Sequence, residues 1–249
     1  MVALFLGTAI ALALASSATG SFTGLAMPAA NSSEPKSGQC KLMKLLPRAT
    51  QFNVALSPRH YGRGGHCGRC VQTQCDRCAA SAPIIAQVTD RCANCSASDV
   101  GLSKPMLRAL FGSGAPSAVT WDFVDCPVND PIALCTKPRN TSAYIIYVQP
   151  TNTVAGVQNM TIDGFRGRLT NASYHFKAPM PANWSNVRVS MKSFTGDAIA
   201  ASVALRPGRC VTIPHQFSPS PAAASGTPAV IDYDGDEDAD SITVPPPYK

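Results

Sequence analysis

Ten cysteines behind an apolar leader constrain the fold of this chain of 249 residues more than any other feature. Residues 1–18 hold an apolar run followed by small residues, which predicts a secretory signal peptide cleaved near Ala15 or Ala18. The run is shorter than the roughly 20 apolar residues of a bilayer-spanning helix, and no basic flank follows it. We therefore expect a secreted, extracellular protein without a membrane partner, stabilised by five disulfides.

The cysteine spacing leaves a second interpretation open. The segments 75–78 and 92–95 are Cys-x-x-Cys motifs with 13 residues between them, and 67–70 is a third such pair. In a cytosolic protein this spacing would indicate zinc held by four thiolates. Thiols exported through an oxidising compartment are usually paired before they meet a metal. We expect disulfides, with no metal and no cofactor.

Charge is unevenly distributed along the chain. The net charge is +6, and the tail after Ile231 contributes −5, so the preceding residues carry +11. A basic exported protein attracts anionic partners such as acidic polysaccharide. No block of Lys and Arg is interleaved with aromatic residues, which argues against nucleic acid as a partner.

Potential glycosylation sites support export, because six asparagines stand two residues before Ser or Thr. These asparagines are Asn31, Asn94, Asn140, Asn159, Asn171 and Asn183.

Composition shifts divide the chain into segments. Behind the signal peptide 1–18 we predict a cysteine-rich domain over 19–130 and a proline-rich linker over 131–140. A second domain covers 141–217, and the acidic, proline-rich tail 218–249 is predicted to be disordered, because it cannot bury enough apolar area. We expect the protein to act as a monomer.

The sequence patterns of both domains predict mainly β-strands. In the first, 83–90 and 118–125 are strand-like apolar runs. In the second, 144–148 is a continuous apolar strand, and 186–192 alternates apolar and polar residues with a period of two. Several such runs between Asn, Gly and Pro predict a β-sandwich of two sheets.

One short helix interrupts the first domain. We expect Ser103 to cap it and Gly112 to end it, with Leu107, Leu110 and Phe111 on its buried face.

Five sequence pieces in the first domain resemble the first domain of expansins, specifically the microbial expansin-like proteins. They occur in the family's order over residues 38–128 and share its cysteines; from there to Phe217 the order of strands resembles the family's carbohydrate-binding second domain. The pieces are Gly38-Gln-Cys-Lys-Leu-Met43, His66-Cys-Gly-Arg-Cys-Val71, Val88-Thr-Asp-Arg-Cys92, Leu102-Ser103 and Val119-Thr-Trp-Asp-Phe-Val-Asp-Cys-Pro127.

The resemblance implies a six-stranded double-psi β-barrel followed by an immunoglobulin-like β-sandwich. It also implies a non-enzymatic protein that binds cell-wall polysaccharide and loosens the wall without cutting glycan chains. The expected partner is cellulose with matrix glycans or pectin. The resemblance further implies the disulfides Cys40–Cys67 and Cys70–Cys126. The other expected pairs are Cys75–Cys78, Cys92–Cys95 and Cys135–Cys210, although Cys-x-x-Cys motifs can exchange partners.

Several polar residues match positions where the family contacts sugar. Asp90 matches the family's first barrel aspartate, and Ser21 and Thr23 resemble the hydroxyl residues of its first strand. For Asp90 the alternative is a structural aspartate that binds loop amides. For Ser21 and Thr23 the alternative is a pair of ordinary strand hydroxyls. The family's most important aspartate is replaced by Gly101, and Asp99, two residues earlier, is the nearest carboxylate. In a strand-like backbone Asp99 shares a face with position 101, so we expect it to reach the same groove and bind polysaccharide, with a plain turn residue as the alternative.

The second domain lacks the adjacent tryptophans that stack on glucose rings in the family. Residues 153–154 occupy their place. We predict a replacement platform of Tyr174, Phe176 and Trp184, with the alternative that some of these rings fill the core.

Three functions compete. The first is a wall-binding and wall-loosening protein without catalysis. The second is a glycan hydrolase or lytic transglycosylase on the same barrel, which Gly101 and the absence of a carboxylate from 21–24 argue against. The third is a secreted interaction protein or effector that kept the fold and lost the groove.

Titration of free thiols in the denatured protein tests the disulfide prediction. We expect no free thiol. Closure of the loop between Cys70 and Cys126 should stabilise the fold by about 4 kcal/mol in the chain-entropy account. More than one reactive thiol, or one zinc ion per chain, would contradict the prediction.

Overall fold

The computed structural model describes residues 21–30, 33–76, 78–138, 143–171 and 173–220. The predicted signal peptide, Asn31, Asn140 and the tail beyond Ser220 lie outside the described residues. Within them, no helix is both long enough and apolar enough to cross a bilayer.

The first domain is a closed barrel of six strands in the order β1-β5-β2-β4-β3-β6, with β6 pairing back onto β1. The pairs β1–β5 and β2–β4 are parallel, and the other four are antiparallel. This is the barrel that the family resemblance predicts. Its strands are β1 (Phe22–Pro28), β2 (Asn53–Leu56), β3 (Cys70–Gln74), β4 (Ile84–Arg91), β5 (Val100–Leu102) and β6 (Ala118–Val124).

Every second side chain of the barrel strands points inward and fills the barrel interior. Val54 and Leu56 on β2 and Val100 and Leu102 on β5 are fully buried. Because successive residues of a strand point to opposite faces, Ala55 and Gly101 between them face outward from the barrel wall.

Two short helices join the barrel strands, α1 (Pro58–Tyr61) and α2 (Lys104–Phe111). Helix α2 begins after Ser103 as predicted, but the Ser103 hydroxyl donates to the Gln51 carbonyl (2.6 Å) instead of capping the helix. Its fully buried residues are Met106 and Leu110. The predicted Leu107 and Phe111 are only partly buried.

The second domain is a sandwich of a four-stranded sheet, β10-β9-β13-β14, and a five-stranded sheet, β11-β12-β8-β7-β15. The sandwich is the predicted fold. Its strands are β7 (Ala133–Thr136), β8 (Ile145–Thr151), β9 (Asn159–Ile162), β10 (Phe165–Arg166), β11 (Arg168–Thr170), β12 (Ser173–Pro179), β13 (Val187–Lys192), β14 (Ala198–Val203) and β15 (Cys210–Thr212).

The ends of the second domain differ from the prediction. Strand β7 lies inside the predicted linker 131–140, because the prolines at 131 and 138 flank the strand without interrupting it. At the other end, Ser218 donates its amide to Asp197 (2.7 Å), and the Ser220 hydroxyl donates to Asp125 of the barrel (2.9 Å). The first residues of the predicted tail are therefore attached to both domains.

All ten cysteines form disulfides, and the pairs are those expected from the sequence. The four sulfurs of the zinc interpretation are therefore not thiolates. The pair Cys135–Cys210 joins directly opposed residues of β7 and β15. The five pairs are Cys40–Cys67, Cys70–Cys126, Cys75–Cys78, Cys92–Cys95 and Cys135–Cys210.

A buried amide joins the two domains. Gln149 on β8 is fully buried, and its Oε1 accepts from the Met43 amide of the barrel (2.7 Å). Its Nε2 donates to the carbonyls of Lys41 (3.1 Å) and of Tyr174 on the neighbouring strand (2.8 Å). The Tyr174 amide in turn donates to the Cys40 carbonyl (2.8 Å). These bonds fix the barrel segment 40–43 against the five-stranded sheet.

A stacked arginine forms a second contact between the two domains. The Arg69 guanidinium of the barrel lies between the rings of Phe123 (4.0 Å) and Phe194 (4.1 Å), the latter from the sandwich. Its Nη1 donates to His66 Nδ1 (3.0 Å), so His66 accepts as a neutral ring. Burial and the neighbouring Arg69 charge lower the pKa of His66 to about 3, which keeps that ring neutral.

Replacing Gln149 tests this contact between the two domains. Gln149→Ala leaves a buried amide and two carbonyls without their partner, so the free energy of unfolding should fall by about 3 kcal/mol. Denaturant unfolding measures the change, with Gln158→Ala at a half-buried position of the same domain as control. A loss for Gln149→Ala no larger than that of the control would contradict this account of the contact.

Candidate functional site

Four register partners form a row across the outer face of the barrel, which we call the Asp90 row. Met27 on β1 pairs with Gly101 on β5, Gly101 with Ala55 on β2, and Ala55 with Asp90 on β4. Neighbouring strands lie about 4.8 Å apart, so position 101 is about 10 Å from Asp90. Asp90 is the one carboxylate in the row.

Backbone amides orient the Asp90 carboxylate. Its Oδ1 accepts from the amides of Gln39 (2.7 Å) and Arg91 (2.8 Å), and the residue is 6% exposed. The chain at Gly38 approaches closely, since a Cβ there would lie 3.0 Å from the Asp90 Cβ. Asp90 therefore binds loop amides, as the structural alternative expects, and its carboxylate is held in one orientation at the end of the row.

A tyrosine that the sequence did not single out lies near Asp90. Burial raises the pKa of Tyr61 to about 12, and the Asp90 charge adds to the rise while Arg91 opposes it. The Tyr61 hydroxyl is buried without a hydrogen-bond partner among the described residues. No sequence pattern predicts this proximity, because Tyr61 comes from α1 and Asp90 from β4.

Position 101 has no room for a second carboxylate without rearrangement. A Cβ at Gly101 would lie 3.2 Å from the Ala55 Cβ and 3.5 Å from both the Cα and the Cβ of Ala29. Small residues therefore fill the place at which the resemblance puts the family's most important aspartate.

Two backbone amides bind the carboxylate of Asp99. Its Oδ1 accepts from the Leu25 amide of β1 (2.7 Å), and its Oδ2 accepts from the Ser96 amide (3.0 Å). Oδ1 thus attaches the start of β5 to β1, and Oδ2 closes the turn 96–99. The two backbone bonds support the alternative in which Asp99 is a plain turn residue.

Ser21 and Thr23 are exposed at the start of β1. Thr23 and Met27 are four residues apart and face the same way, which places Thr23 about 13 Å along the strand from the Asp90 row. Between the two hydroxyl residues, the Phe22 ring lies 4.3 Å from that of His60 and 4.5 Å from that of Trp121. Sequence reasoning missed the partly exposed pair Phe22 and His60, which the fold brings together from β1 and α1.

The predicted aromatic platform of the second domain is wrong for two of its three members. Tyr174 is 1% and Phe176 is 3% exposed. Their shared face of β12 packs into the core, with ring centroids 5.8 Å apart. Trp184 is partly buried against the same core. The place of the family's tandem tryptophans is also covered: Thr153 and Val154 are each 5% exposed.

The described glycosylation sites are accessible. Asn94, Asn159, Asn171 and Asn183 are all exposed. Asn159 lies beside Lys192 on the four-stranded sheet, so a glycan on it would cover part of that face. Glycosylation remains a prediction.

Solved structures share this two-domain fold. The crystal structure of the expansin of Clavibacter michiganensis without ligand matches with a TM-score of 0.68 and 20% identity, over 81% of this chain and 100% of that one. A mutant of the same expansin in complex with cellohexaose matches with a TM-score of 0.67 at the same identity and coverage. No protein-family profile and no curated protein matches the sequence. The barrel and sandwich thus have the fold of bacterial expansins, as the residues of 38–128 predict.

The structural role of Asp99 is testable. Asp99→Ala leaves two backbone amides without their acceptor, so the free energy of unfolding should fall by about 2 kcal/mol. Binding to isolated cell walls, measured below the unfolding temperature, should stay unchanged. Unchanged stability together with lost binding would show instead that Asp99 contacts the glycan.

Proposed function

We propose that this protein is a secreted, expansin-like protein of the cell wall that binds wall polysaccharide and loosens it without hydrolysis. The observation that carries the proposal is the composition of the Asp90 row, which holds one carboxylate where hydrolysis needs two. The fold shared with bacterial expansins supports it.

The geometry of the row argues against hydrolysis. An inverting glycosidase holds an acid and a base about 6.5–9.5 Å apart, one to protonate the leaving oxygen and one to activate water. Position 101 stands about 10 Å from Asp90, two strands away and just beyond that range. Gly101 provides neither acid nor base there, and Asp99 is occupied by backbone amides.

A single carboxylate such as Asp90 can bind a sugar without cutting the glycan. A carboxylate accepts hydrogen bonds from hydroxyl groups more strongly than a neutral acceptor does. Its orientation by two amides means that little freedom is lost when a glycan hydroxyl binds. The cellohexaose complex of the Clavibacter expansin makes a β-1,4-glucan the first ligand to test. We propose cellulose with associated matrix glycans as the ligand of the Asp90 row.

A second candidate is a secreted interaction protein that kept the fold without wall-loosening activity. The packed Gly101 and the covered Val154 favour it, because both lie where the family contacts sugar. Wall creep separates the two: the first candidate extends isolated walls under load, and the second does not.

Asp90→Asn is the variant that tests the proposed function. Asparagine keeps one carbonyl oxygen, which can accept the two amides that now bind Oδ1, so the melting temperature should stay nearly unchanged. The variant lacks the charge that strengthens a bond to sugar, so wall creep and wall binding should fall several-fold. Asp76→Asn, an exposed barrel position outside the row, removes the same charge as a control.

Sugar release completes the test. Reducing ends from cellulose, xyloglucan, mixed-linkage glucan and peptidoglycan should stay at background for the unsubstituted protein. If Asp90→Asn only unfolds the protein, the residue is structural and the proposal for the Asp90 row fails. Steady sugar release that Asp99→Asn abolishes would establish the enzymatic alternative.

A further inference from the structure

The outer face of the five-stranded sheet carries a row of cations around one aromatic ring, which we call the Tyr147 row. Arg168 on β11 pairs with Lys177 on β12, and Lys177 pairs with Tyr147 on β8. Lys137, just beyond β7, donates its amide to the Tyr147 carbonyl (3.2 Å) and holds its Nζ 4.6 Å from the Tyr147 ring. The row therefore crosses four strand positions, about 14 Å at the usual strand spacing.

The strands of this sheet contribute positive but no negative side chains to the row. None of the five strands of this sheet contains Asp or Glu. A turn beside Lys137 adds two exposed arginines: Thr136 donates its hydroxyl to the Arg206 carbonyl (2.6 Å) and its amide to the Arg209 carbonyl (3.0 Å). Such a cluster raises the local concentration of anions.

The row lies on the open half of this sheet face. Towards the barrel, Gln149 and His175 are covered, at 0% and 2% exposure. Two residues further from the barrel along the same strands, Tyr147 and Lys177 are partly exposed, and Arg168 is exposed. A ligand can thus reach the ring and the cations while it passes alongside the barrel.

We propose that the Tyr147 row binds an acidic polysaccharide, a chain of uronate sugars, at a place separate from the Asp90 row. The ring can stack on the apolar face of a pyranose. The cations on either side of the ring can pair with carboxylates of successive sugars, and their reach along the sheet suits a linear polymer. The Asp90 carboxylate attracts no acidic sugar, whereas the cations of the Tyr147 row do, which favours a place for acidic chains apart from the Asp90 row.

This proposal rests on the proposed function only in that both concern a polysaccharide-binding protein of the wall, and the two fail separately. Creep activity and the effect of Asp90→Asn report on the Asp90 row. Retention on polygalacturonate reports on the Tyr147 row.

The experiment compares two triple variants that each remove three positive charges. Lys137→Gln/Lys177→Gln/Arg168→Gln neutralises the Tyr147 row. Arg166→Gln/Arg188→Gln/Lys192→Gln neutralises exposed cations on the outer face of the four-stranded sheet. Circular dichroism checks that both variants fold. If the first triple variant does not fold, the exposed Arg168→Gln alone and Tyr147→Ala replace it.

Affinity for polygalacturonate beads should fall about tenfold for the Tyr147-row variant and less than threefold for the control triple. Tyr147→Ala should also weaken binding, and salt should weaken it for the unsubstituted protein because exposed charges are screened within about 8 Å at physiological ionic strength. Fully methyl-esterified pectin, which has no carboxylates, should be retained poorly.

Three results would overturn the proposal. Equal losses for both triple variants would show that only net charge matters. Absence of retention on polygalacturonate at low salt would show that the row binds no acidic glycan. Displacement from the beads by double-stranded DNA as readily as by free polygalacturonate would identify a general polyanion surface.

Discussion

The buried Gln149 amide is the contact on which the functional surface depends. An amide buried between two domains must find its partners, because an unsatisfied polar group in the interior costs more than the bond contributes when made. Lys41 and Met43 of the barrel supply two of those partners, so the two domains meet in one arrangement. The guanidinium stack of Arg69 between Phe123 and Phe194 forms the second contact between the domains. The Asp90 row and the outer face of the five-stranded sheet are thereby held in a fixed relation.

Both proposed binding rows lie close in sequence to the Gln149 contact. The Asp90 carboxylate is bound by the Gln39 amide, two residues before Lys41, which contacts Gln149. Tyr147 lies two residues from Gln149 along β8. Under the two proposals, the Asp90 row binds neutral glucan and the Tyr147 row binds uronate. A protein that holds both polymers side by side would act at their contact in the wall without breaking either chain.

The sequence predicts the fold better than the site, and the reason differs from element to element. Strand periodicity predicts two mainly β domains and a sandwich, whereas the barrel and the pairs Cys40–Cys67 and Cys70–Cys126 follow from the family resemblance of 38–128. The alternation in β12 predicts a strand but not its exposed face, because the barrel covers the far side as well and leaves His175 as buried as Tyr174. Tyr147 lies in an apolar run, and such a run predicts a strand that is buried on both faces. The proximity of Tyr61 to Asp90 depends on tertiary structure alone.

Amide NMR spectra titrated with cellohexaose and, separately, with oligogalacturonate test the central claim, two glycan surfaces joined at Gln149, most directly. The account predicts that cellohexaose shifts the amides of Gln39 and Arg91, which bind the Asp90 carboxylate. Oligogalacturonate should shift the amides of Tyr147 and Lys177 instead. Shifts by either ligand confined to the four-stranded sheet, or the same shifts for both ligands, would contradict the account.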